Sequence, residues 1–190
     1  MLQHAFKEWA VICHLLATGK QAIILRKGGI AEPGGDFKLE HTRFWLYPTY
    51  LHENRKGVKD EALPFLERAE LQKPPAGKVR LSHFAEVAGV YQVRDLLSAL
   101  KLEALHYWSE ATVESRFQYR YPGLMVMPVR VYAAEQAVEI TETPVYHGCK
   151  SWVELDHSLS TEGAKPVLDD AAFRDVLRKL DLILQPIAFA

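Results

Sequence analysis

Residues 10–29 read "AVICHLLATGKQAIILRKGG", and two questions about this stretch decide the fold. The first is whether "AVICHLL" is a helix or the first arm of a hairpin turning at "ATGK". Bulky apolar residues Phe6, Trp9, Ala10, Cys13, Leu16 and Ala17 recur at spacings of three and four, so the period predicts a helix over residues 6–17. The hairpin stands as its competitor, because the run is short, apolar and partly β-branched. The second question is what "QAIILRKGG" does. Residues 21–26 read as a strand in either case, ended by Gly28 and Gly29, which permit a sharp turn. Alternation puts Ala22, Ile24 and Arg26 on one face and Ile23, Leu25 and Lys27 on the other. The stretch is therefore a core strand that delivers cations at its end.

Outward from there the chain mixes elements without a βαβ rhythm. Residues 31–37 form a Pro- and Gly-punctuated loop, and residues 42–52, "TRFWLYPTYLH", an aromatic strand whose Pro48 predicts an edge or a bulge. A charged connector over 53–61 leads to a short helix over 61–71. The breaker "QKPPAGK" at 72–78 marks a weak division within what length predicts to be one domain over 1–190. Strands follow in "VRLSHFAEVAGVYQV", a helix in "RDLLSALKLEALHYW" carrying Leu96, Leu97, Leu100 and Leu105, and a strand over 123–134 whose one charge is Arg130. Further strands lie in "QAVEITET" and "KSWVELD". Asp169 and Asp170 are the N-cap candidates of a last helix presenting Phe173, Val176, Leu177 and Leu180. The class predicted is α+β, with a mixed, mostly antiparallel sheet curling towards a barrel and flanking helices.

Composition narrows function. The 190 residues are 48% hydrophobic and 25% charged, as in ordinary globular proteins, with no apolar run long enough for a membrane span. No leader pattern is read at the N-terminus, and a cytoplasmic protein is expected. Cys13 and Cys149 form no CxxC motif, which argues against a disulfide framework or zinc knuckle. Net charge is −1, but residues 1–80 carry 13 Lys and Arg against 9 Asp and Glu, and the remainder 10 against 15. An anionic ligand is expected on the N-terminal half.

Candidate chemistry gathers around the opening stretch. Lys20, Arg26 and Lys27 are cations suited to phosphate, with Gly28 and Gly29 leaving backbone N–H groups open to a close anion. The Walker spacing is absent. Glu32, His41 and His52 are the acid/base candidates, and no HxH, HxxxH or HExxH pattern marks a metal site. No cofactor is implied. Tyr47 and Trp152 are ring platforms for a base, although each aromatic residue by itself is more simply a core residue. Arg130, alone in an apolar strand, is a ligand candidate whose simpler reading is a structural ion pair.

The segments "FKEWAVICHLLATGKQAIILRKGGIAE", "FWLYPTYLHE", "MPVRVY" and "YHGCKSWVEL" together resemble the bacterial family designated domain of unknown function 1802, over residues 5–155. That resemblance implies no established activity; the association of some members with restriction-endonuclease-like domains would imply a DNA-related setting. Gly19, Lys20 and Arg26 are also similar to the helix-to-strand pattern of PUA and ASCH barrels, which implies binding of RNA, modified bases or nucleotides. The expected partner is thus DNA, RNA or a nucleotide, with a nucleic-acid-processing hydrolase as the alternative and a non-catalytic protein-interaction module as the third reading.

Overall fold

A computed structural model describes residues 1–27, 39–51, 53–148 and 150–184. In chain order the elements are β1 (Leu2–Trp9), α1 (Ala10–Ala17), β2 (Ile23–Arg26), β3 (Arg43–Thr49), α2 (Leu63–Leu71), β4 (Lys78–Val87), β5 (Tyr91–Val93), α3 (Leu96–Leu100), α4 (Glu110–Gln118), β6 (Leu124–Thr141), β7 (Trp152–Leu159), β8 (Lys165–Pro166) and α5 (Asp170–Ile183). The eight strands form one mixed sheet in the order β2-β6-β4-β3-β1-β7, with β5 and β8 also paired to β6. Of the pairings, β1 with β3 is parallel and the others are antiparallel. The class is α+β, as the sequence predicts.

The opening stretch resolves into a helix and a strand, but the helix is shorter than its period suggests. Residues 6–9 belong to β1, where Ala5 pairs with Trp45 and Trp9 with Thr49. Because β1 lies inside the sheet with both faces covered, Ala5 and Phe6 are both fully buried, and the alternation that betrays a strand is lost. "ATGK" is not a hairpin turn. Gly19 adopts φ +68°, its N–H donates to the Leu16 carbonyl, and the Lys20 N–H donates to that of Leu15. That is a Schellman cap, which closes α1 and turns the chain into β2.

Three other differences have local causes. The strands read at 123–134 and in "QAVEITET" are one 18-residue strand, β6. Along it the register with β4 slips: β6 advances from Ala133 to Val138 while β4 moves only from His83 to Leu81. Such a bulge adds bend and twist, which curls the sheet. The helix over 94–108 contracts to α3 and a single 3-10 turn, leaving Leu97 72% exposed. Helix α4 escaped the sequence reading because it buries only Val113 and Phe117; its signal is Ser109, whose side chain accepts from the Thr112 N–H.

Two apolar layers cover the sheet. Phe6, Phe44, Leu46 and Ala85 face a core shared with α1, α2 and α4, whereas Ala5, Trp45, Tyr47 and Phe84 face a smaller core completed by Tyr146, Val153 and Leu155. The curl brings the two ends of the sheet together. Arg26, at the end of β2, donates to the Ser151 hydroxyl at 2.7 and 3.2 Å, and the Ser151 carbonyl, just before β7, accepts from the Lys7 N–H at 2.9 Å. Among the described residues no β2–β7 ladder forms, so the sheet stays open and is bridged by a side chain.

Leu16→Ala, at a fully buried site in the larger core, is expected to cost about 2–5 kcal/mol in urea denaturation. Leu97→Ala, at an exposed site, is expected to change stability by no more than about 0.5 kcal/mol.

Candidate functional site

β3 pairs with β4 only from Arg43 to Trp45, against Glu86 to Phe84. Beyond Trp45 the two strands part, and Pro48, which has no N–H to give, lies in the parted segment while β1 pairs with its other side. Pro48 thus occupies a local edge inside the sheet. The gap opens into a cavity of about 880 Å³, bordered by residues 47–51 of β3 and its continuation and by residues 73–79, the breaker leading into β4. The segment that reads as a division in the sequence is a wall of this cleft.

Seven Lys and Arg side chains line it among the described residues, against two carboxylates. Glu8, Arg26 and Arg116 form the floor. The Glu8 side chain is 1% exposed and its Oε2 lies 3.8 Å from Arg26 Nη1, while its Oε1 accepts from the Trp9 N–H at 2.8 Å. Arg116 comes from α4, stacks its guanidinium 3.6 Å over Trp108 and donates to the Leu25 carbonyl at 3.1 Å. Burial lowers Arg116 to about 10; Glu8 opposes that shift and Arg26 adds to it. Two guanidinium groups therefore stand against one carboxylate, Arg26 paired with it and Arg116 feeling its charge through space, and the floor keeps a net positive charge. Lys73 and Lys78 are exposed at the rim, with Lys150 half-buried nearby. Trp9 and Tyr50 add rings to the lining. Burial, then Cys13 and Glu53, pushes the Tyr50 hydroxyl up to about 12, so it stays a donor. Gly57 is required beside Trp9: a Cβ there would meet the indole ring at 2.5 Å.

The sequence candidates divide. Arg26, Lys27 and Tyr47 line the cleft. Lys27 is held by the Tyr121 and Gly123 carbonyls at 2.6 and 2.9 Å and lies 4.1 Å from the Tyr121 ring centroid. Tyr47 is 1% exposed and donates to Glu142 at 3.0 Å, which leaves its ring packed in the smaller core rather than open to a base. Lys20 is exposed beyond the opposite end of β2 and is not a lining residue. Trp152 packs edge-on against Phe6 and Phe44, away from the lining, and His41 stacks on His4 with centroids 3.5 Å apart. Burial and then His4 lower the His41 pKa. Arg130 pairs with Asp170, the first residue of α5, and packs on Phe173. Gly28, Gly29, Glu32 and His52 lie outside the described residues.

Sequence reading missed Glu8, Trp9, Arg116 and the rim lysines. In the sequence Glu8 is a single acid between Lys7 and Trp9, a pattern that a helix and a strand explain equally. No group of three or more His, Cys, Asp or Glu among the described residues could hold a metal ion. Burial, then Glu8 and Glu53, holds the Cys13 thiol well above its ordinary value, in its unreactive protonated form.

The chain belongs to the family described as "Domain of unknown function (DUF1802)", whose model matches residues 5–179 and so extends past β7 into α5. No curated protein matches it. Among solved structures it is similar to the ASCH protein of Zymomonas mobilis, at 12% identity and a TM-score of 0.46 over 97% of each chain. A serine-to-alanine variant of that protein aligns over 96% of each chain, also at 12% identity and a TM-score of 0.46.

Glu53 beside α1 gives a pH test. Its Oε1 accepts from the Val11 N–H at 2.6 Å, yet burial raises its pKa from 4.5 to about 7, with Val11 and Lys73 opposing and Glu70 and Glu8 adding. The folded state holds this proton more tightly than the unfolded chain, so the stability Glu53 contributes is present below about pH 4.5 and lost as pH rises to about 7. Glu53→Gln keeps the acceptor for Val11 without the buried charge. Thermal unfolding on either side of that window is expected to show the variant gaining on the wild type by roughly 1–3 kcal/mol at the higher pH.

Proposed function

We propose that this protein binds phosphate-bearing nucleic acid or nucleotide in the cleft between β3 and β4. The observation that carries the reading is the concentration of seven cationic side chains around one cavity of about 880 Å³, in a chain whose net charge is −1. Bulk positive charge does not explain such an arrangement; a local anion does. A cavity of this volume accommodates a small ligand or a few nucleotides of a strand. Duplex DNA, with a groove about 12 Å wide read by an inserted helix or ribbon, is matched less well by a recess walled on both sides. The Trp9 ring in the same lining suits an unpaired base, while the Tyr50 ring carries the Lys73 ammonium 4.7 Å from its centroid. Single-stranded nucleic acid or a nucleotide is therefore the ligand class favoured.

Fluorescence anisotropy of labelled single-stranded RNA and DNA across a salt series tests this. Affinity is expected to fall linearly on logarithmic axes as salt rises. Lys73→Ala/Lys78→Ala, at two exposed rim positions, is expected to weaken binding and flatten the slope by up to roughly 1.4, at about 0.7 per phosphate contact on a single strand. Absence of binding at low salt, or a slope unchanged by the double variant, would count against the cleft as the anion site.

A further inference from the structure

The floor of the cleft contains a group that phosphate does not explain. Glu8 is 2% exposed, and its Oε2 accepts no hydrogen bond from any described residue. Arg26 answers its charge at 3.8 Å, which is beyond hydrogen-bonding range. A buried carboxylate oxygen without a donor is costly and calls for one. A phosphate cannot supply it, because two anions would then face each other at a buried carboxylate. The ligand's negative charge therefore belongs higher in the cleft, at Lys73, Lys78 and Lys150, and a donor-bearing part of the ligand belongs at Glu8.

Resting on the binding function proposed above, we propose that the floor takes a guanine base, whose adjacent imino and amino N–H donors the Glu8 carboxylate accepts while the ligand's phosphate lies on the lysine rim. Guanine is the common base with two neighbouring N–H donors on its pairing edge, and a carboxylate is the side chain with lone pairs on two adjacent oxygens to receive them. Oε1 already serves the Trp9 N–H but retains a second lone pair, and Oε2 has both. Arg26, beside it, gives its Nε and Nη2 to the Ser151 hydroxyl and holds its Nη1 3.8 Å from Glu8, and the lining includes the Trp9 ring as a neighbour for the base. Uracil offers one donor, and adenine and cytosine one amino group each; the sugar hydroxyls are donors common to all the ribonucleotides, so ribose 5-phosphate is the control that separates them from the base.

Calorimetric titration of the full chain with guanosine, inosine and uridine monophosphates and ribose 5-phosphate provides the test, with a single-stranded RNA octamer containing one guanine as a further arm. Guanosine monophosphate is expected to bind at least about tenfold more tightly than the uridine nucleotide or ribose 5-phosphate. The inosine nucleotide, lacking the amino donor, is expected between them. In Glu8→Gln the amide oxygen takes over the Trp9 N–H and its NH2 group then faces the base donors, so the guanine advantage is expected to vanish. Ribose 5-phosphate binding is expected to be kept or strengthened in that variant, because a negative charge has left the cleft. A tighter octamer would place the guanine in a strand, and equal affinities would make it a free nucleotide. Equal binding of guanosine monophosphate and ribose 5-phosphate would overturn the base assignment and leave the phosphate cleft standing. Equal binding of the guanosine and inosine nucleotides would overturn the two-donor assignment without recourse to any variant. Failure of every phosphate ligand would overturn the cleft reading itself.

Discussion

Arg26 closes the molecule on itself. Its guanidinium reaches from the end of β2 to Ser151 before β7, which are the two free ends of the sheet order, and it faces the Glu8 carboxylate on β1 in between. A sheet curled this far without a closing ladder leaves polar backbone near its seam, and a forked five-donor side chain is suited to spanning such a gap. Arg116 then arrives from α4 and feels the charge of the same carboxylate. Removing Glu8 would leave two like charges that affect each other without the acid that offsets them; removing either arginine would leave a buried acid less well answered. Sheet closure, the seat of α4 and the charge of the cleft floor therefore all meet at one small cluster.

The cleft itself follows from a mismatch in the sheet. β3 must pair in parallel with β1 along residues 45–49, whereas β4 leaves β3 at Trp45 to follow the long β6. The bulge between Leu81 and His83 re-aims β4, and Pro48 makes the parted edge of β3 unable to donate where a ladder would otherwise continue. Burial grades the resulting walls from the nearly inaccessible Glu8 at the floor to Lys73 and Lys78 at the mouth. Water is thus excluded where the carboxylate lies and admitted where the ammonium groups lie.

Local rules were sufficient wherever a segment's neighbours in space are also its neighbours in sequence. The β2 strand, the strand at Phe44–Tyr47 and the N-cap at Asp169 were legible because capping, turn chemistry and short apolar runs are local. The α+β class followed from them. The identity of residues 6–9 as strand was not legible: a strand buried on both faces has no alternation, and Phe6 and Trp9 imitate a helical period.

Sequence also marked Arg26 and Lys27 as the charged end of a core strand, since that depends only on a period of two and a following turn. What those cations face was decided by tertiary structure. Glu8 lies far from Arg116 in sequence, and Lys73, Lys78 and Lys150 lie on a loop, a strand start and the approach to β7, so no spacing links them. The sequence by itself determined the element types, the class and one cationic end. Only the folding of β4 away from β3 turned dispersed charges into a cleft, because electrostatic focusing depends on distance and exclusion of water, neither of which is encoded in spacing along the chain.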